Sequence, residues 1–221
     1  THAGTSFGAA GTTHHCTEDI AIMRSFANMT VIVPADGIET ANAVKACVEY
    51  PGPVYIRIGR GFEPRFYENE EYGFKIGKAI EVAEGTDITL ICCGITVLQA
   101  FEAARFLKEK DGLSVRVLNM HTIKPLDEDA VRKAIEETRR IITFEDHNIY
   151  GGLGSAVADV IASSGKGCAF TKVGIPDCYR EVGYPEDLYS YYNLDTDGII
   201  KKVRETMGKD FEEDEDWEDE V

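Results

Sequence analysis

Hydrophobic residues along the chain alternate between short continuous runs and helical spacings. Apolar, β-branched runs occupy residues 30–33 and 54–58, and between them hydrophobic residues recur every three or four positions across residues 38–48. This pattern predicts two strands separated by an amphipathic helix. Asp36 and Glu39 form a capping-box signature where that helix begins. A strand–helix–strand unit of this kind favours a parallel strand pair with a right-handed crossover.

A second and longer series of the same patterns begins at residue 79. Continuous apolar runs predict strands at residues 79–82, 88–93, 114–118, 141–144 and 169–173. Helical spacings and caps predict four helices. They lie at residues 97–108, in a segment that begins at residue 127, in a separate segment that follows residue 155 and ends at residue 161, and at residues 196–207. The two series together predict an α/β fold. It consists of two three-layer α/β/α units with mostly parallel sheets, the first of them truncated.

The segment between the two series has a different composition. Residues 61–74 are rich in glycine, proline, glutamate and aromatic residues, and they have no hydrophobic periodicity. We therefore predict a domain boundary there. The expected division is a first unit at residues 1–60, a linker at residues 61–74, a second unit at residues 75–207 and a tail at residues 208–221.

Negative charge is concentrated at the C-terminus. The formal net charge is -16, and residues 211–221 carry eight acidic residues and no basic one. Because like charges repel, we predict a disordered tail that keeps the protein soluble; docking to a basic partner is the alternative. The acidic balance argues against nucleic-acid binding, in which lysine and arginine neutralise phosphates.

Neither a membrane segment nor a disulfide framework is predicted. The longest nearly apolar run, residues 88–98, is far shorter than the ~20 residues that span a bilayer. No charged and then apolar N-terminus marks a secretory signal. The six cysteines lack C-x-x-C spacing, and adjacent Cys92 and Cys93 lie inside an apolar run. We expect buried free thiols in a reducing cytosol, and hence a cytoplasmic protein.

Two groups of motifs carry a family resemblance that covers about residues 1–207. The first group resembles the pyrimidine-binding domain of transketolases: THAG at residues 1–4, GTTHHCTEDIAIMR at 11–24, NMTVIVPAD at 28–36 and GPVYIRIGR at 52–60. The second group resembles the transketolase C-terminal domain: KPLD at 124–127, EDH at 145–147 and GGLGS at 151–155. In character the chain is similar to the C-terminal subunit of split transketolases.

The resemblance implies an activity, a cofactor and partners. Transketolases transfer a two-carbon ketol unit between phosphosugars on thiamine diphosphate, whose diphosphate is held by a divalent metal such as Mg²⁺; the cofactor supplies the difficult chemistry. The expected partners are an N-terminal transketolase subunit or domain and a second copy of the chain, which would form a homodimer.

The same resemblance assigns three site residues. His14 matches the histidine that lies over the reacting carbons, and an imidazole can accept and return a proton near neutral pH. His2 and Arg60 match residues that hold the substrate phosphate, a role that suits the bidentate arginine fork. Gly8 and Gly11 are expected to let the backbone pass close to the cofactor.

Two departures from the family pattern limit this prediction. Ala10 stands where the family has a carboxylate that contacts sugar hydroxyls, and a methyl group accepts no hydrogen bond. The glutamate that activates the cofactor, and the aromatic residues that stack on it, are expected upstream of Thr1. We therefore predict no complete cofactor site and no metal-binding residue within this chain, and we leave its cofactor-binding residues unassigned. We expect no activity of the isolated chain without the missing halves.

Two other functions remain open. The same domain pair occurs in deoxyxylulose-phosphate synthases and in the β subunit of 2-oxoacid dehydrogenases. His2, His14 and Arg60 together favour a phosphosugar and argue against the dehydrogenase. The third hypothesis is a non-catalytic binding or assembly module, suggested by the missing cofactor residues, Ala10 and the acidic tail.

Several other polar residues have ordinary structural interpretations. His15 is expected to point away from the site, and a metal site at residues 14–16 is disfavoured because adjacent ligands diverge. Arg57 is expected in a structural ion pair. The loop at residues 151–155 could bind an anion at a helix N-terminus, but we favour a tightly packed turn. Residues 145–147 suit either function or a subunit interface.

Overall fold

The computed structural model describes residues 2–60, 63–178 and 181–208, so the predicted acidic tail lies outside the described residues. Its strands are β1 (Thr30–Ile32), β2 (Val54–Ile56), β3 (Ile80–Ala83), β4 (Ile88–Cys92), β5 (Val115–Asn119), β6 (Thr122–Lys124), β7 (Arg140–Asn148) and β8 (Ala169–Ile175). Its helices are α1 (Asp19–Ser25), α2 (Gly37–Cys47), α3 (Thr96–Asp111), α4 (Glu128–Glu137), α5 (Leu153–Ser163), α6 (Pro185–Tyr191) and α7 (Thr196–Met207). A 3-10 turn spans Gly8–Ala10.

The second unit is a three-layer sandwich, which confirms the predicted α/β class. Its sheet has the order β3-β5-β4-β7-β8, with every neighbouring pair parallel except β3 and β5. One core cluster joins α3 and α7 to one face of the sheet, and another joins α4 and α5 to the opposite face. Strands buried on both faces explain the continuous apolar runs at β4 and β5.

The first unit is completed by a strand that the hydrophobic pattern did not predict. Its sheet has the order β2-β1-β6, in which β1 and β2 are parallel and β6 runs antiparallel to β1. Strand β6 has the sequence TIK, in which two of the three residues are polar, so no apolar run marks it. Core residues of the two units also pack in one cluster, in which Val31 and Val33 join Ile91 and Leu118. The two sheets are therefore tied together by a strand and by a shared core.

Capping explains where α2 begins, with one change from the expected geometry. The Asp36 side chain accepts the Glu39 backbone N–H at 2.8 Å, as a capping box requires. The Glu39 carboxylate accepts the Ala35 N–H at 2.7 Å, one residue before the cap. Burial raises the pKa of Glu39 to about 7, against the hydrogen bonds from Asn119 and Ala35 that lower it. This acid therefore belongs to the core rather than to a solvated helix end.

The segment predicted as a linker lacks helices and strands in its described part, yet it packs against the core. The other carboxylate oxygen of Asp36 accepts the Phe66 and Tyr67 N–H groups at 2.8 and 2.9 Å. The Tyr67 ring is buried and stacks on Tyr72 at 3.7 Å between centroids. Asn119 donates to the Tyr67 hydroxyl at 2.8 Å. The segment is thus fixed to both units.

Cysteine burial only partly matches the expectation. None of the six cysteines is in a disulfide; Cys92 and Cys93 are buried, but Cys178 is exposed and the other three are half-buried. Burial raises the pKa of the Cys92 thiol, so it stays protonated.

None of the helices in the described residues is long and apolar enough to cross a membrane.

Candidate active site

The N-terminal segment forms a loop that is closed at its base, and we call residues 4–16 the histidine loop. The Gly4 N–H donates to the Cys16 carbonyl at 2.9 Å, and the Cys16 N–H donates back to the Gly4 carbonyl at 3.0 Å. Gly4 has a φ of 52°, in the left-handed region that favours glycine. The Ala3 N–H donates to the Ile58 carbonyl at 3.0 Å. The loop therefore lies beside the segment after β2 that carries Arg60.

The three predicted site residues meet around the ring of Phe7. The Arg60 guanidinium carbon lies over the Phe7 ring, 4.5 Å from its centroid. The His14 ring stands perpendicular to Phe7 at 5.3 Å between centroids, and the His2 ring is tilted by 38° at 5.0 Å. One aromatic side chain thus brings together residues that are up to 58 positions apart in sequence.

His14 lies at the surface on a defined turn. Its backbone N–H donates to the Gly11 carbonyl at 2.9 Å, and Gly11 has a φ of 82°, a conformation that favours glycine. The ring Nδ1 lies 3.0 Å from the Thr13 hydroxyl oxygen. Because Nδ1 is engaged by Thr13, Nε2 is the nitrogen that remains to exchange a proton with a substrate.

His2 is kept neutral by its surroundings. Partial burial lowers the pKa of His2, and the nearby Arg60 and His14 lower it further, while Glu63 has a weaker opposite effect. A neutral imidazole beside a permanently charged guanidinium provides one hydrogen-bond donor next to a cationic fork. This pair fits an anionic group such as a phosphate.

Two residues of the second unit hold the histidine loop on either side of Phe7. The Asp146 carboxylate accepts the Thr5 N–H at 2.9 Å and the Thr5 hydroxyl at 3.0 Å. On the other side, a Cβ added to Gly8 would lie 2.3 Å from Leu188 Cδ1, so the missing side chain lets α6 approach the backbone. The position of Phe7 is therefore fixed by the second unit.

Arg57 is in a structural ion pair, as predicted. Its Nε donates to Asp19 at 2.8 Å, and its terminal nitrogen donates to the Cys16 and Asp146 carbonyls at 2.8 and 2.9 Å. Burial alone would lower the pKa of Arg57, but Asp19 and Asp146 outweigh it and raise the pKa. Tyr55 donates to the same Asp19 oxygen at 2.7 Å. This buried network joins the base of the loop to β2 and β7.

Comparison with protein families identifies both halves of the chain. The model of the transketolase pyrimidine-binding domain matches residues 1–62, and that of the transketolase C-terminal domain matches residues 77–199. The chain belongs to the transketolase family.

Individual transketolase relatives are similar over most of this chain. One subunit of the apulose-4-phosphate transketolase of Phocaeicola vulgatus is 43% identical over 206 residues, 93% of this chain and 65% of that protein. The 1-deoxy-D-xylulose-5-phosphate synthase of Heliobacterium modesticaldum is 34% identical over 92% of this chain and 31% of its own length. A solved structure of a split gene transketolase, described as an inactive β4 tetramer, superimposes with a TM-score of 0.84 at 36% identity. The superposition covers 93% of this chain and 65% of the solved chain. This transketolase chain therefore spans about two thirds of the length of the solved chain and of the Phocaeicola vulgatus subunit.

The anion-binding interpretation of residues 151–155 is wrong, because an internal carboxylate fills the position. Glu145 accepts the Leu153 and Gly154 N–H groups at 2.7 and 2.8 Å, where α5 begins. A Cβ on Gly152 would lie 2.0 Å from the same carboxylate, so this turn is tightly packed, as we favoured. Burial raises the pKa of Glu145 to about 7, against the two backbone hydrogen bonds that lower it.

The neighbours of His14 do not form a metal site. His15 Nε2 lies 3.3 Å from the Gly8 carbonyl oxygen rather than against Phe7. Among residues 2–60, 63–178 and 181–208, no cluster of three or more His, Cys, Asp or Glu side chains could hold a metal ion.

His147 Nδ1 lies 2.7 Å from the Asn148 carbonyl oxygen, and burial lowers the pKa of His147 to about 4. It is a buried neutral histidine.

The residues around a cavity beside the histidine loop do not fit the family cofactor. This cavity of about 230 Å³ lies between the two units and is lined mainly by small and apolar side chains. Three acidic residues line it, Asp36, Glu63 and Asp146, which disfavour a diphosphate, and its one basic residue, Arg57, is already paired with Asp19; no aromatic residue lines it. We therefore assign no cofactor contact to these residues.

Two features of the candidate site were not predicted from the sequence. Phe7 is a single aromatic residue in a glycine-rich segment, where a hydrophobic residue is equally consistent with packing. Asp146 was expected to serve either function or a subunit interface, not to anchor a loop, and its partner Thr5 is 141 positions away. The glycine spacing around Phe7 was the one available signal, since Gly4 and Gly8 mark close approaches on both sides.

Proposed function

We propose that this chain is the phosphosugar-binding part of a thiamine diphosphate-dependent transketolase, and that the complete enzyme transfers a two-carbon ketol unit between phosphosugars. The observation that carries this proposal is the meeting of His2, His14 and Arg60 around Phe7. Together these side chains offer a cationic fork, a neutral donor and a histidine whose Nε2 is available for proton transfer.

The roles follow from chemistry and position. Arg60 and His2 bind the substrate phosphate, with the guanidinium contributing paired N–H donors. His14 removes and returns a hydroxyl proton through Nε2, while Thr13 holds Nδ1 at 3.0 Å and so sets the ring orientation. In this proposal the cofactor supplies carbanion stabilisation, and it is held by segments other than those described in this structure.

The proposed partners are an N-terminal transketolase subunit or domain and a second copy of this chain, in the cytoplasm. One relative is named as a subunit of a transketolase, and a similar structure is described as a β4 tetramer. The first name also contains a sugar phosphate, apulose 4-phosphate, which supports an anionic sugar as substrate. Mg²⁺ would enter with the diphosphate-binding partner.

Reconstitution tests this function. The full-length protein that contains this chain is mixed with its N-terminal partner, thiamine diphosphate and Mg²⁺, and ketol transfer from xylulose 5-phosphate is measured. His14→Gln should lower kcat by ~10²–10⁴-fold. Arg60→Gln should mainly raise KM for the phosphosugar, whereas Arg132→Gln on the exposed face of α4 serves as the matched control.

The alternatives give different results in the same assay. Condensation of pyruvate with a triose phosphate would indicate a deoxyxylulose-phosphate synthase, a possibility supported by the relative of that name. Oxidative turnover of pyruvate would indicate a dehydrogenase subunit. If the complex forms and binds thiamine diphosphate but turns over neither class of substrate, the chain is a binding or assembly module.

A further inference from the structure

The ring of Phe7 contacts each of the three side chains to which we assign chemistry. Its face is covered by the Arg60 guanidinium at 4.5 Å, and the His14 ring meets it perpendicularly at 5.3 Å. The tilted His2 ring lies at 5.0 Å. The ring itself is half-buried, whereas His14 and Arg60 are exposed. An exposed arginine has many accessible rotamers, so a fixed ring beneath it selects among them.

We propose that Phe7 is a positioning residue, whose ring orients Arg60 and His2 for an anion and aligns His14 with the group bound there. The assignment of an anionic substrate rests on the proposed function. The alignment itself rests only on the three contacts.

Phe7 is suited to this task because its backbone is fixed on both sides. Two residues before it, Thr5 donates its N–H and hydroxyl to the buried Asp146. Directly after it, Gly8 packs against Leu188, with no room for a Cβ. Because the backbone is already restrained, the Phe7 ring loses little further conformational entropy when it contacts Arg60, His2 and His14. A site arranged in this way before the ligand arrives is preorganised.

The stacking also has an electrostatic consequence for His2. Holding the guanidinium over Phe7 keeps a permanent positive charge near the His2 ring. That charge acts in the same direction as burial and lowers the pKa of His2. Loss of the ring would remove this restraint on Arg60, and the effect of the guanidinium on the pKa of His2 would fall as the distance between the two groups increased. The titration of His2 therefore reports on the position of Arg60.

The test compares Phe7→Leu, which removes the ring, with Phe7→Tyr, which keeps it. The probe is inorganic phosphate added to the full-length protein, followed by NMR of the histidine C2–H signals. We expect Phe7→Leu to weaken phosphate binding by ~3–5-fold, the size of an exposed cation–π contact, and to raise the His2 titration midpoint. Phe7→Tyr should stay within ~2-fold of wild type, as should Phe26→Leu, which changes an exposed aromatic residue on the chain leaving α1.

A double-mutant cycle separates positioning from general loosening. If Phe7 acts through Arg60, then Phe7→Leu and Arg60→Gln are non-additive in phosphate affinity, because glutamine removes the cation that lies over the ring. Additive effects, or a Phe7→Leu variant with wild-type affinity and His2 titration, would overturn the proposal. If Phe7→Leu does not fold, as judged by amide NMR dispersion, Phe7→Met provides the same comparison with a flexible apolar side chain.

Neither readout needs ketol transfer. Failure of the proposed function with intact coupling between Phe7 and Arg60 would leave this inference standing. In the reconstituted enzyme, Phe7→Leu should raise KM for the phosphosugar more than it lowers kcat, because the anion-binding pair loses its support first. Equal loss in both, together with unchanged phosphate binding, would show a merely structural role.

Discussion

The Asp146 carboxylate accepts both the backbone N–H and the hydroxyl of Thr5, at 2.9 and 3.0 Å. Asp146 belongs to β7 of the second unit, and Thr5 begins the part of the histidine loop that leads to Phe7. Burial raises the pKa of Asp146, and the contacts with Arg57 and Thr5 oppose that increase. The second unit is therefore part of the candidate site, since it fixes the loop that carries His14.

Removing the acid should loosen this loop. Asp146→Ala leaves the buried Thr5 N–H without its acceptor, so we expect a loss of about 1–3 kcal/mol in unfolding free energy. Amide exchange in the histidine loop should also become faster. Urea unfolding and hydrogen exchange measure the two effects.

Thr5→Val provides the control, because it removes only the hydroxyl and keeps the backbone contact. Its cost should be about 1 kcal/mol, with little change in amide exchange. If Asp146→Ala and Thr5→Val behave alike, the backbone hydrogen bond does not anchor the loop.

The contact between Gly8 and Leu188 makes a second prediction about packing. A Cβ on Gly8 would lie 2.3 Å from Leu188 Cδ1 and 2.5 Å from the Gly183 carbonyl oxygen. Gly8→Ala should therefore destabilise the protein by about 1–3 kcal/mol and displace the 3-10 turn. Thermal or urea denaturation gives the stability, and phosphate binding reports on the site.

Gly37→Ala is the matched control. Gly37 is the first residue of α2, and a Cβ there has nothing within 4 Å. Because alanine has the higher helix propensity, this change should be neutral or stabilising by up to about 1 kcal/mol. A similar loss in both variants would mean that the cost comes from the backbone rather than from contact with α6.

His121 should make the fold sensitive to acid. Its ring is fully buried against Phe74 at 4.3 Å, and burial lowers its pKa from 6.5 to about 4, although Asp127 and the Lys78 backbone act in the opposite sense. Between those two pH values the unfolded chain binds the proton and the folded chain does not. The stability contributed by neutral His121 is therefore complete above pH 6.5 and is lost as pH falls towards 4. From pH 7 to 5 the loss is about 2 kcal/mol.

The variant His121→Phe should abolish the contribution of His121, while His147, whose pKa burial also lowers to about 4, keeps its own. Glu39 and Glu145, whose pKa values burial raises to about 7, lower stability as pH rises from 4.5 to 7, so their effect opposes that of His121. The readout is therefore the difference in unfolding free energy between variant and wild type at pH 5 and pH 7. Phe74→Leu keeps the imidazole and should keep most of the wild-type slope. A difference that does not change with pH would contradict the assignment.

Local patterns predicted much of the fold because local physics determines it. Asp36 and Asp127 cap helices through contacts to residues three positions away, and both caps are present. The continuous apolar runs at β4 and β5 reflect burial on both faces. Strand β6 was missed because two of its three residues are polar, and the seven-residue helices α1 and α6 were missed because they are too short for a helical period to emerge. Tertiary packing stabilises these elements instead.

The site was only partly accessible from sequence. His2, His14 and Arg60 were recognised through a motif, and the structure brings them to one ring. The contacts that hold them join positions that are distant in the chain, such as Thr5 with Asp146 and Gly8 with Leu188. Glu145 could not be assigned either, since its function as the cap of α5 depends on the end of β7 meeting that helix. Such pairings follow from topology and leave no local pattern.

Ala10 allows a test of substrate recognition. It is the last residue of the 3-10 turn, half-buried on the same loop as His14, and its methyl group accepts no hydrogen bond. Ala10→Asp supplies a carboxylate. For a substrate whose hydroxyl reaches it, a hydrogen bond to a charged group should raise kcat/KM by ~10-fold or more in the reconstituted enzyme. The comparison substrate is the same sugar phosphate without that hydroxyl, for which kcat/KM should not rise.

Ala9→Asp places the same charge on the neighbouring exposed position and controls for net charge. Equal effects of the two variants would mean that Ala10 does not face the sugar, because a carboxylate distinguishes the two substrates only from within hydrogen-bond distance of the hydroxyl.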